Sequence, residues 1–117
     1  MITQKVCNSV IYRVTDKGVQ FLVLKKAKYH NGVKWIESHW TIPKTLKQEL
    51  QSDEACALKQ IKKETGLDVK FRGVVGEGRP YTFFWNNQKI RRENHFLLFE
   101  APPNTTPVLS PDNADYY

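Results

Sequence analysis

Apolar residues alternate with polar ones over most of this chain, and only one stretch has the wider spacing of a helix. Val6–Val14 is rich in β-branched residues and predicts a strand; Asp16-Lys17-Gly18 is a turn signal, and Val19–Lys26 reads as the antiparallel return. Within it, Phe21–Leu24 is a short apolar run that predicts a buried strand. Asn31-Gly32 is a second turn pair, after which Trp35 through Ile42 predicts another extended segment. Pro43 forbids a regular helix through it and opens a loop expected to run to about Gln51. Ser52 is an N-cap candidate, Asp53 and Glu54 follow in the first turn where the helix dipole favours acids, and Gly66 ends the helix. Further strands are predicted at Val69–Val75, Tyr81–Trp85 and Ile90–Glu100, with Asn86-Asn87 as a hairpin turn. The fold class is therefore α+β, a mixed β-sheet with one helix packed on it. Residues 1–101 are expected to form the domain, and 102–117 an irregular Pro-rich C-terminal segment, since Ala101–Pro111 holds four of the six prolines.

The helix carries the chemistry worth reading. At 100° per residue, Ala55, Leu58, Ile61 and Thr65 share the face expected to meet the sheet. Gln60, Lys63 and Glu64 are expected to converge on the opposite side. Residues 59–64 hold three lysines against one acid. Such a surface is a poor home for a hard divalent cation, which wants several oxygen ligands.

Residues 40–67, W-T-I-P-K-T-L-K-Q-E-L-Q-S-D-E-A-C-A-L-K-Q-I-K-K-E-T-G-L, resemble the signature of the Nudix hydrolases, G-x5-E-x7-R-E-U-x-E-E-x-G-U, where U is aliphatic. Anchored on Gly66 and Leu67, the alignment needs no gap. Thr45 stands for the first glycine, Gln51 for a glutamate, Lys59-Gln60 for Arg-Glu and Lys63 for the first of the paired glutamates. Glu64 is the one box acid retained, and Leu50 stands where a second glycine often sits. The lead-in Trp40-Thr41-Ile42-Pro43-Lys44 resembles W-x-x-P-K-G, and His39-Trp40-Thr41 is similar to the branch that cleaves diadenosine polyphosphates. The resemblance spans about Lys5 to Glu100.

What the resemblance implies is a Nudix-like fold whose usual C-terminal helix is missing from this chain, so that the chain is expected to be a fragment or a reduced variant. Three functions follow. The first is a catalytically degenerate domain that senses nucleotides or docks on a protein partner or a further domain, with no cofactor. It would bind a nucleotide or dinucleotide through Lys44, His39, Arg79 and Tyr81. The second is an active hydrolase of nucleoside-diphosphate-linked substrates, using Mg2+ or Mn2+ held by Glu64 with Glu49 and Glu100. The third is an RNA-binding pseudo-enzyme, with Tyr81, Trp85 and Arg91 as its surface.

Composition narrows the choice a little. The 117 residues carry a formal net charge of +6, which suits an anionic partner. No apolar run approaches the ~18 residues a membrane helix needs. Cys7 and Cys56 are expected as isolated thiols, which fits the cytoplasm. His30, His39 and His95 lack ligand spacing, so no zinc is expected. Phe83 is expected in the core, and Lys89, Arg91 and Arg92 on a solvated hairpin edge.

Overall fold

Two long strands lying side by side organise the protein in the computed structural model. The structure describes residues 2–116 apart from 31, 33, 49 and 110–112, and only the backbone of 29, 30, 36 and 113–116. β1 (Ile2–Thr15) pairs in parallel with β10 (Gln88–Glu100) along the whole register from Ile2↔Ile90 to Tyr12↔Glu100. Each long strand is flanked by two short ones. β2 (Gly18–Phe21) and β7 (Lys44–Leu46) share the free edge of β1, while β8 (Lys70–Glu77) and β9 (Tyr81–Trp85) share that of β10. β3 (Leu24–Lys26), β6 (His39–Thr41) and β11 (Asn113–Tyr116) form a second sheet, and β4 (Tyr29–His30) pairs with β5 (Trp35–Ile36).

Several expectations change here. The return strand Val19–Lys26 breaks at Leu22–Val23, so that β2 joins one sheet and β3 the other. The run Phe21–Leu24 is consequently split: Leu24 is fully buried, whereas Phe21 is 58% exposed. The loop after Pro43 includes β7, anchored by the amide of Ser9 donating to the Pro43 carbonyl at 2.8 Å. The terminal segment, expected to be irregular throughout, supplies β11, which pairs with β3. Asn31 lies outside the described residues.

α1 (Asp53–Thr65) has the predicted bounds because its stop signals are local. The Ser52 hydroxyl accepts from the Ala55 amide at 3.1 Å, and Gly66 takes φ 69, a left-handed conformation that costs glycine little. Lys62 Nζ donates to the Gly66 carbonyl at 3.2 Å and pairs with Asp68 at 2.9 Å, placing a cation at the negative helix end. The core lies between α1 and the sheet: Cys56, Ala57 and Ile61 pack on Cys7, Ile11, Leu97 and Phe99. Among the described residues no helix is long and apolar enough to cross a membrane.

Candidate functional site

The helix does not present the face expected of it. Cys56, Ala57, Ile61, Glu64 and Thr65 are buried, and Ala55 is exposed. The buried arc is thus rotated from the expected one, and Glu64, placed on the outer side with Gln60 and Lys63, is only 5% exposed. Gln60 is half-buried beside it and Lys63 faces solvent. The physical reason is that α1 packs on β1, β7 and β10, and small side chains such as Ala57 let the helix approach there. Thr45 is extended in β7, opposite Cys7, and needs no glycine freedom. Leu50 does: its φ of 66 is the left-handed conformation that a glycine would adopt with less strain.

Of the acids proposed to assist Glu64, the described one, Glu100, is engaged elsewhere. Glu100 accepts from the Tyr12 hydroxyl at 3.0 Å and faces Arg72 at 3.5 Å. Strand alternation puts Tyr12 and Glu100 on the face of the sheet opposite Ile11 and Phe99, against which α1 packs. Glu49 lies outside the described residues. No group of three or more His, Cys, Asp or Glu is arranged to hold a metal among the described residues. One buried carboxylate flanked by an amide and a lysine does not fit a hard divalent ion.

A charged cluster missed in the sequence sits at the N-terminus of α1. His95 Nδ1 donates to Asp53 Oδ2 at 3.0 Å, and Lys47 Nζ stands 3.2 Å from Asp53 Oδ1. Glu77 lies 4.0 Å from His95 Nε2. The hydrogen bond from His95, helped by Lys47 and opposed by burial, holds the Asp53 carboxyl below its ordinary value of 3.8. Its contribution to stability is present above that ordinary value and is lost as pH falls through the lowered one. Asp53→Asn should therefore destabilise the protein at about pH 7, and the gap from the wild type should close at an acid pH beneath the lowered value of Asp53. Urea midpoints at the two pH values check this; a gap that persists in acid would assign the effect to packing. Next to this cluster, burial and a hydrogen bond with Cys56 push the Cys7 thiol up to about 12. Both cysteines are free and buried.

The other face of the sheet carries a different arrangement. Gln4, Arg92 and Tyr81 stand in one row across β1, β10 and β9, with Phe83 opposite Ile90 in the next. The Arg92 guanidinium lies 4.8 Å from the Phe83 ring centroid, and its Nε and Nη2 both donate to Gln4 Oε1, at 3.3 and 2.9 Å. Phe83, expected in the core, is half-buried beneath that guanidinium. Tyr81 is 47% exposed, with its ring centroid 6.1 Å from that of Phe83. Lys44, opposite Asn8, projects by the same alternation onto this face. Its row lies four residues along β1 from Gln4, about 13 Å away at the usual strand rise. Between them the buried Asn8 amide donates to Asn94 Oδ1 and to the His95 carbonyl, each at 3.2 Å.

Of the expected ligand-binding residues, Lys44 and Tyr81 thus share a face. His39 is exposed on β6, its Nδ1–H donating to the Glu37 carbonyl at 3.1 Å, and Arg79 is exposed in the turn before β9. Arg92, Phe83 and Gln4 were missed. The hairpin turn at Asn86-Asn87 does fix Arg92 opposite Tyr81, so two of the three were within reach of register counting. Chemically the face offers an accessible ring, a guanidinium fixed in plane and a distant ammonium. That set can hold a planar heterocycle and anionic oxygens without moving a proton.

A model of the NUDIX domain matches residues 6–116. No curated protein matches the chain. Among solved structures, the chain is similar to a C. elegans Ap4A hydrolase in a binary complex, at 17% identity and a TM-score of 0.68, with 97% of this chain and 77% of that one covered. It is similar to the MutT protein of Methanosarcina mazei Go1 at 16% identity and a TM-score of 0.68, covering 99% and 75%. It is also similar to the E. coli dihydroneopterin triphosphate pyrophosphohydrolase at 13% identity and a TM-score of 0.71, covering 100% and 82%.

Proposed function

The chain belongs to the Nudix family, and from that premise we infer a catalytically degenerate member that binds nucleotides without hydrolysing them. The observation that carries this reading is the pairing of a box helix with one buried acid and a face on the opposite side of the sheet that brings together Tyr81, Arg92 and Lys44. Tyr81 offers a ring for a base, Arg92 a fixed guanidinium, and Lys44 a point charge for phosphate about 13 Å along the strands. That span suits a nucleotide with an extended polyphosphate, and the solved relatives include an Ap4A hydrolase. Recognition of this kind needs no metal, and the two free thiols suit a cytoplasmic sensor.

Calorimetric titration with a non-hydrolysable dinucleoside polyphosphate tests the inference. Binding should occur in the presence of a chelator, and Arg92→Gln should weaken it about tenfold, or ~1.4 kcal/mol. Glu64→Gln should leave it unchanged. With a hydrolysable dinucleoside polyphosphate in its place, metal-dependent release of nucleoside monophosphate that Glu64→Gln abolishes would instead establish a working hydrolase. Absence of binding with and without Mn2+ would turn the search to protein or RNA partners.

A further inference from the structure

A cavity of about 450 Å³ lies at the far end of β1, where that strand meets β2, the segment after α1 and the irregular stretch from Ala101 to Pro107. It is separate from both the box helix acid and the Tyr81–Arg92 face. Ile11, Leu67 and Ala101 are buried where they line it, and Leu22 adds a further apolar wall. Its volume falls within the range of ordinary small-molecule sites.

Among the described residues, one charged side chain lines this apolar space. Arg13 is half-buried; its Nε donates to Gln20 Oε1 at 2.8 Å and its Nη1 to the Thr105 carbonyl at 3.3 Å. Both acceptors are neutral, and among the described residues no carboxylate pairs with Arg13. The two bonds fix the plane of the guanidinium while leaving three of its five N–H donors for another partner. The Tyr12 side chain projects to the opposite face of the sheet, where its hydroxyl is committed to Glu100, so it supplies no donor here. A greasy pocket with one positive, bidentate-capable group selects a molecule of opposite construction. A neutral ligand would leave the guanidinium uncompensated, and a polyanion would bring charge into the apolar floor.

We propose that this cavity binds a small amphiphile carrying a single carboxylate, its apolar body on Ile11, Leu22 and Leu67 and its carboxylate on Arg13. The inference goes beyond the nucleotide reading and does not depend on it. Octanoate is the probe, with octanol as the neutral control, each titrated calorimetrically into the full chain. Octanoate should bind measurably and octanol far more weakly. Arg13→Gln should weaken octanoate about tenfold or more, with little effect on octanol. Arg13→Lys keeps the charge without the fork and should fall between the two, which guards against a fold defect in the first variant. Pro107→Trp, which loses no backbone N–H, should fill the space and abolish binding. Thermal melts without ligand establish that each variant is folded. No octanoate binding at millimolar concentration, equal binding of octanoate and octanol, or undiminished binding by folded Arg13→Gln would each overturn the proposal.

Discussion

Replacing Phe99 with alanine should cost about 3–5 kcal/mol, the largest loss expected from any single substitution in this protein. Phe99 has no exposed surface, its ring centroid lies 5.5 Å from that of Phe71, and it packs in the cluster that joins α1 to both long strands. Truncation removes the transfer energy of the ring and leaves a hole, because β10 is held between β1 and β8 and cannot collapse into it. Domains of this size are stable by only about 5–15 kcal/mol, so the variant should be marginal at 37 °C. Guanidinium unfolding of Phe99→Ala beside Phe84→Ala measures the effect. Phe84 is 74% exposed, and its truncation should change stability by about 0.5 kcal/mol or less. Equal losses in the two variants would mean that the cluster around Phe99 is not the centre of stability.

The contrast between those two phenylalanines shows where the sequence could be read. Tyr81-Thr82-Phe83-Phe84-Trp85 is all aromatic and β-branched, so the strand and its hairpin were legible, and Tyr81–Trp85 has the predicted bounds. Which face is covered was not, because that depends on partners distant in sequence. Gln4 meets Arg92 through the parallel pairing of β1 with β10, and nothing local in either strand announces it. The helix divides in the same way. Ser52, Asp53 and Gly66 fix its ends through local capping, so its bounds follow from sequence. Its orientation follows from packing: the hydrophobic pattern favoured Ala55 and Leu58, yet the approach of β1, β7 and β10 buries Glu64, leaves Leu58 half-buried and exposes Ala55. The split of Val19–Lys26 between two sheets is equally non-local, since each half is a plausible strand by composition. The box substitutions, by contrast, were plain in the sequence, because missing carboxylates are a matter of residue identity.

Restoring two of those carboxylates should reverse the effect of metal on stability. In a protein carrying both Gln60→Glu and Lys63→Glu, three acids would stand at i, i+3 and i+4 on α1 with Glu64. Without metal the variant should be less stable than the wild type at neutral pH. Like charges then crowd a half-buried site, and an acid replaces a cation in the last turn, where the dipole favours positive charge. Divalent ions should offset this repulsion. Oxygen sites of modest rigidity bind such ions with dissociation constants on the order of 10⁻³–10⁻⁴ M, so Mn2+ at about a hundredfold excess over that constant would add ~2.7 kcal/mol. The wild type, with one buried acid beside Gln60 and Lys63, should show no comparable gain. Melting curves of both proteins with Mn2+ and with a chelator provide the test. A variant destabilised in chelator and rescued by Mn2+ would mean that residue identity alone separates this helix from a metal-binding one. A variant destabilised equally in both would mean that burial has turned Glu64 away from the surface that Gln60 and Lys63 share. In that case the loss of metal chemistry would lie in the packing of α1 on β1 and β7 as well as in its side chains.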